Sequence, residues 1–238
     1  MKDYSILRVV DHTDSYYTKK ADIIDLPFRI LIVGKSFLSG KSTVILNLLL
    51  RDKFYKNDFK GENIFIVSNN AMDNKMKILK EEKDVDAHNF MEFSESNLEA
   101  IYEEVEARAV DAMNEGKRPA NSLIVIDDVA FSGGLKEKNN GTLSRIFCNG
   151  RHINLSVIVT AQKYSQISTT MRANCSGAIL FNNSMHEVDA MSNDLNYLES
   201  KKDFVKLFRK TTKGKNNFMV VNFTEDGIYQ DSKFQPVE

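Results

Sequence analysis

Tryptophan is absent, cysteine occurs twice and proline three times in the 238 residues. Cys148 and Cys175 have neither C-x-x-C spacing nor histidine companions, which excludes a disulfide scaffold, a redox pair and a zinc finger and makes a reducing compartment the default. His12, His88 and His186 have no neighbours at metal-ligand spacing. Long apolar runs are missing too. Ile30 to Val33 and Val44 to Leu50, the latter interrupted by Asn47, fall far short of the roughly 20 residues that span a bilayer. Met1 to Val10 carries Lys2, Asp3 and Arg8, so no signal-peptide core is formed. These features predict a soluble protein without membrane partners. An excess of charge of either sign is also lacking: 32 Lys and Arg face 33 Asp and Glu, for a net charge of −1. Any nucleic-acid contact must therefore use a local patch rather than a globally basic surface.

The composition is that of a folded protein. A hydrophobic fraction of 42% and a charged fraction of 27% supply a sizeable core and exclude wholesale disorder. The length suits one α/β domain, and no internal repeat appears. Runs of Ile, Val, Leu and Phe predict strands over Arg29 to Val33, Asn63 to Ser68, Leu123 to Ile126, Ser156 to Thr160 and Ala178 to Phe181, with an edge strand over Phe218 to Phe223. The clearest helix spans Ser96 to Glu115, where Leu98, Ile101, Tyr102, Val105 and Ala109 share one face and Ser96 with Glu99 forms a capping box. Strands apolar throughout, alternating with helices, predict a mainly parallel sheet covered on both faces.

The first strand runs directly into Gly34-Lys35-Ser36-Phe37-Leu38-Ser39-Gly40-Lys41-Ser42-Thr43, and an apolar helix follows. Strand, glycine loop, Lys-Ser and helix is the order of a phosphate cradle: backbone N–H groups and the helix N-terminus surround the β-phosphate while Lys41 reaches the β- and γ-phosphates. Ser42 would offer its hydroxyl to Mg²⁺, and Gly40 leaves room for the phosphates. Five residues separate Gly34 from Gly40 where the common pattern has four. Either the loop is one residue longer or Lys35 takes the first-glycine position.

A second apolar strand stops at Asp127-Asp128, and ligands of open α/β sheets bind at the carboxyl ends of strands. Asp127 is assigned to the metal and Asp128 to activation of the attacking water. Leu155 to Ala161 ends in Gln162, whose amide is placed to sense the γ-phosphate or the lytic water.

These residues resemble the FtsK/HerA superfamily of P-loop motor ATPases, and within it the A32-like genome-packaging ATPases of double-stranded DNA viruses. The resemblance rests on Phe28 to Gly34, Leu123 to Asp128, Gly150-Arg151-His152-Ile153-Asn154-Leu155 leading to Gln162, and Met171-Arg172-Ala173-Asn174-Cys175 before Ala178 to Phe181. It covers residues 28 to 182, leaving a basic segment, 183 to 238, in the same single domain. It implies an ASCE/RecA-like P-loop NTPase sheet in which the Gln162 strand lies between the loop strand and the acidic strand. It further implies ATP and Mg²⁺ as ligands, and a homo-oligomeric ring that moves double-stranded DNA into a capsid or portal vertex. The place of action would be the host cytoplasm or viral factory, with transient residence at the virion vertex. Each site would be completed by a neighbour's arginine, Arg151 first and Arg172 second. Another DNA translocase of the superfamily, or a nucleotide-gated scaffold that does not hydrolyse, are the alternatives. Between Lys201 and Lys215, seven basic residues face the single acid Asp203, which makes Lys206, Arg209, Lys210 and Lys213 the DNA-backbone candidates, with Phe131 to Gly141 as the next place to look.

Overall fold

Strand residues with apolar side chains on both faces can be buried only between two helical layers, and the chain folds accordingly. The computed structural model describes residues 11–36, 40–70, 73–129, 135, 141–225 and 228–237. Its strands are β1 (Arg29–Val33), β2 (Ile64–Ser68), β3 (Phe90–Met91), β4 (Ser122–Asp127), β5 (Leu155–Ala161), β6 (Gly177–Phe181), β7 (Phe218–Asn222) and β8 (Tyr229–Gln230). They form one sheet in the order β3-β2-β4-β5-β1-β6-β7-β8, parallel from β3 to β6 and antiparallel across β6, β7 and β8. The glutamine strand β5 lies between the loop strand β1 and the acidic strand β4, as expected.

The helices are α1 (Lys41–Leu50), α2 (Asn74–Glu82), α3 (Glu95–Asn114), α4 (Thr142–Asn149), α5 (Thr169–Asn174), α6 (Met185–Leu195) and α7 (Lys201–Thr211). Alternate residues of each strand point to opposite faces. Ile30, Ile32, Ile64, Ile66 and Val125 pack with Val44, Ile45 and Leu48 of α1 and Met76 and Leu79 of α2. Leu31, Val33, Phe65, Ile124, Ile126 and Val159 pack with Ile101 of α3, Phe147 of α4, Met191 of α6 and Phe204 and Phe208 of α7. Among the described residues, no helix is long and apolar enough to cross a membrane.

Two helices, rather than one, connect β6 to β7. The first carries the chain away from the carboxyl edge of the parallel strands and the second brings it back, so β7 starts where β6 ends and pairs antiparallel, Phe218 opposite Phe181. The turn after α7 therefore stands at the same edge as the phosphate loop.

Two expectations are corrected. The run at Phe218 is not an edge strand, because the two-residue β8 pairs outside it through Val220 and Val221. Two-residue strands such as β3 and β8 are too short to leave a pattern. The long helix is capped by Ser94, whose Oγ accepts from the Asn97 N–H at 3.1 Å, and Ser96 lies inside the first turn. The carboxylate of Glu95 is likewise turned outward, its Oε1 accepting from the Thr142 N–H that opens α4 at 2.6 Å. A Ser94→Ala change should therefore cost about 1 kcal/mol of stability, whereas Ser96→Ala should stay within about 0.5 kcal/mol of wild type. Paired urea or thermal melts would check this, and equal losses would return the cap to Ser96.

Candidate functional site

β1 delivers the chain to the loop, and the ladder continues one residue past it: Gly34 N–H donates to the Ala161 carbonyl at 3.0 Å. Gly40 enters α1 in the left-handed region at φ +87° with no side-chain cap, a conformation that glycine adopts at little cost. The first N–H groups of α1 thus face the loop without intrahelical acceptors. Lys41 folds back so that its Nζ donates to the carbonyls of Gly34 at 2.8 Å and Lys35 at 3.1 Å. Both candidates for the first-glycine position thus hold the ammonium through their carbonyls. Ser36 precedes the 37–39 stretch; Phe37, Leu38 and Ser39 lie outside the described residues, as do 131–134 and 136–140 of the loop after the acidic strand.

Ser42 and Asp127 converge from different elements. The Ser42 hydroxyl donates to Asp127 Oδ2 at 2.9 Å, and Thr160 of β5 donates to Oδ1 at 2.6 Å. The same Thr160 oxygen accepts from the Asp128 N–H at 3.1 Å, which fixes Asp128 at φ +54° with its side chain half-buried. Gln162 Nε2 stands 3.5 Å from Asp128 Oδ1, and the Gln162 carbonyl accepts from Asn183 Nδ2 at 3.1 Å. The loop, both acids and the glutamine therefore meet at the carboxyl ends of β1, β4 and β5, which is where an open α/β sheet binds ligands.

Burial raises the Asp127 pKa above its ordinary value, against the lowering effect of the Thr160 and Ser42 hydroxyls. Burial likewise lowers the Lys41 pKa, while Asp127 and Asp128 act the other way. Site charges are held partly desolvated, at a cost in stability and a gain in electrostatic strength toward an anionic ligand. A buried carboxylate beside a serine hydroxyl at a phosphate loop is also an oxygen donor set that fits Mg²⁺, a hard cation that takes few protein ligands and completes its shell with phosphate and water.

Lys75 of α2 is not evident in the sequence: its Nζ donates to Thr43 Oγ1 at 2.8 Å, bringing a second cation to the start of α1. Nothing in a lone lysine 32 residues downstream signals this; only the packing of α2 on α1 does. The arginines are elsewhere. Arg151 is exposed in the 3₁₀ turn Gly150–Ile153 ahead of β5, roughly 20 Å from the acids by the length of a seven-residue strand. Arg172 is held within its own subunit, ion-paired to Asp194 and lying 5.1 Å over the Tyr164 ring. Lys206, Arg209, Lys210 and Lys213 are all exposed, on the outer face of α7 and the turn beyond it.

The fold and the strand-end site define a P-loop NTPase. More narrowly, the chain belongs to the Poxvirus A32 protein family, whose profile matches residues 16–235. It is similar to DNA packaging protein OPG160 of Vaccinia virus (strain Copenhagen), 24% identical over 226 residues, 91% of this chain and 76% of that protein. Among solved structures, the genome packaging NTPase B204 of Sulfolobus turreted icosahedral virus 2, determined with ATP-gammaS, superposes with a TM-score of 0.59 at 14% identity, covering 88% of this chain and 98% of that one. The cytoplasmic domain of the Thermomonospora curvata Type VII secretion ATPase EccC gives 0.52 at 14% identity, over 82% of this chain and 22% of that one. At these identities the structural likeness concerns the fold.

The buried Asp127 carries a sign that can be tested. Its folded pKa lies above the unfolded one, so the native state binds more protons between those two values and loses stability as pH rises through that window. Asp127→Asn should therefore melt higher than wild type at neutral pH in the nucleotide-free protein, by on the order of 2–4 °C for each kcal/mol recovered. The advantage should shrink as pH falls below the window. A lower melting temperature at pH 7 would show that the Ser42 and Thr160 hydrogen bonds outweigh burial.

Proposed function

We propose that this chain is an ATPase that drives double-stranded DNA into a viral capsid. The observation that carries the reading is the convergence of Lys41, Ser42, Asp127, Asp128 and Gln162 at adjacent strand ends; membership of the A32 family and the packaging roles named for its relatives supply the substrate.

Lys41, freed from the Gly34 and Lys35 carbonyls, supplies positive charge to the β- and γ-phosphates, together with the N–H groups that open α1. Ser42 and Asp127 would hold Mg²⁺, which when bound would neutralise charge on the phosphate oxygens. Asp128, oriented by Thr160, accepts the proton of a water attacking the γ-phosphorus as the bond to the β–γ bridging oxygen breaks. Gln162, within reach of Asp128, orients that water and registers whether a γ-phosphate is present.

Arg151 is the first candidate for charge delivered across a subunit boundary. Its place at the far end of β5 argues against a finger acting within its own subunit, whereas an exposed arginine at that edge is free to meet a neighbour's site in a ring. Arg172, already paired with Asp194, is the weaker candidate. The outer face of α7 grips DNA phosphates without reading sequence, and a ring multiplies modest contacts around one duplex.

ATP binding and steady-state turnover on a small series test the enzyme reading. Lys41→Ala should weaken ATP binding by about tenfold or more, the loss expected when a charged hydrogen-bond partner is removed. Asp128→Asn should keep binding but lose turnover by about 10²- to 10⁴-fold. Arg151→Ala should bind as a subunit, fail to turn over alone, and recover activity when mixed with Lys41→Ala, since mixed rings contain intact loops facing intact arginines. Normal turnover in Asp128→Asn would remove its role, and no recovery on mixing would remove the finger. Wild-type protein that binds ATP without turning it over, with or without DNA, would favour the scaffold.

Replacing Lys206, Arg209, Lys210 and Lys213 with Ala should weaken duplex binding equally for unrelated sequences and flatten the salt dependence, the log–log slope falling by about 0.9 for each phosphate that is no longer neutralised. DNA-stimulated turnover should fall while basal turnover survives. Unchanged affinity and slope would make the α7 face merely solvated.

A further inference from the structure

A groove of about 490 Å³ begins where the phosphate loop ends and runs along α1, within the size range of small-ligand sites. One side is the stripe Gly40, Thr43, Val44 and Asn47 on successive turns of α1; the other is built by the antiparallel end of the sheet. Phe181 of β6, Phe218 of β7, Phe234 in the turn after β8 and Phe54 in the turn after α1 form a continuous aromatic chain, with ring centroids 5.3 Å, 6.0 Å and 5.0 Å apart in that order. Phe234 adopts φ +62°, a genuine outlier for a bulky side chain and the kind of strain that accumulates at functional sites. Asn216 and Lys215, on the turn that returns to β7, complete the rim. A Cβ built on Gly40 would come within 3.8 Å of the Phe181 ring and 3.9 Å of Asn216 Oδ1, so loop and groove are continuous. The Asn216 side chain is exposed and makes no hydrogen bond among the described residues.

We infer that this groove seats the base and ribose of the nucleotide whose phosphates occupy the Gly34–Thr43 loop, and that Asn216 selects adenine; the inference rests on the ATP reading above. A flat base has the aromatic chain as its apolar wall. A carboxamide pairs its acceptor and its donor with the N6 amino group and N7 of adenine, whereas guanine offers two acceptors, O6 and N7, at that edge. Lys215 and Lys75 add positive charge at the mouth, which suits an anionic ligand. The occupant is fixed by continuity: a nucleotide held by its phosphates at Gly40 to Thr43 must place its remaining atoms beside the loop, and this groove opens there.

Equilibrium binding to the full chain tests it with three probes: a non-hydrolysable ATP analogue, the corresponding GTP analogue, and inorganic tripolyphosphate, which has phosphates but no base. Wild type should bind the ATP analogue more tightly than the GTP analogue. Asn216→Gly keeps the left-handed backbone at φ +64° available and should lose about tenfold for the ATP analogue, less for GTP, and nothing for tripolyphosphate. Asn47→Trp, which fills the groove from α1, should lose both nucleotides and keep tripolyphosphate, with circular dichroism confirming the helix content. Unchanged nucleotide affinity in both variants would overturn the inference, as would an equal loss for nucleotide and tripolyphosphate. Wild type that binds none of the three would instead overturn the ATP reading on which it rests.

Discussion

A single buried carboxylate ties the site together. Asp127 is 2% exposed and receives hydroxyl hydrogen bonds from two other elements, Thr160 on the neighbouring strand and Ser42 on the first turn of α1. Those bonds tie the first turn of α1 and the neighbouring strand to one carboxylate, and Thr160 also holds the backbone of Asp128. Without Thr160 and Ser42, the buried carboxylate would keep Lys41 nearby but lose its hydrogen bonds, and proteins avoid buried charges without them. The carboxylate is thus tolerable only where the phosphate-loop helix and the glutamine strand are both in place, so the chemistry and the local fold depend on the same interactions.

The second constraint is topological. A single crossover helix after β6 would have made β7 parallel and carried the next turn to the opposite edge of the sheet. The α6 and α7 pair instead returns the chain to the loop edge, where Phe218 faces Phe181 and Asn216 approaches Gly40. It also divides the basic run. Lys206, Arg209 and Lys210 lie along α7, whereas Lys215 belongs to the rim of the groove beside α1. Residues adjacent in a charge count are therefore separated by a change of chain direction, and one local excess of positive charge serves two surfaces.

This distinction explains what is legible in the sequence. Five of the six parallel strands can be read because burial on both faces leaves unbroken apolar runs, and the loop, the acids and Gln162 because each lies at the end of such a run. Motif chemistry is local in sequence, so it survives in a single chain. Ser94 and Ser96, separated by one residue, offer the same cap, and only the backbone direction chooses between them. Lys75, Phe181, Phe218 and Asn216 are invisible as a group because no spacing links them: they meet through α2 packing on α1 and through the antiparallel return. An aromatic residue at a strand end reads as core, and Phe181 and Phe218 are indeed buried.

Departures from local preference gather around the same edge of the sheet. Phe234 has positive φ, and Asp127 and Lys41 are held against the solvation each would prefer. The other left-handed non-glycine residues, Asp22, Asp84, Asp128, Asn154 and Asn216, are Asp or Asn, whose short polar side chains tolerate that conformation without special support. Phe234 has no such tolerance, and its conformation persists because its ring is packed against Phe54 and Phe218. A sequence selected for stability alone would relax these positions, and strain of this kind accumulates at functional sites.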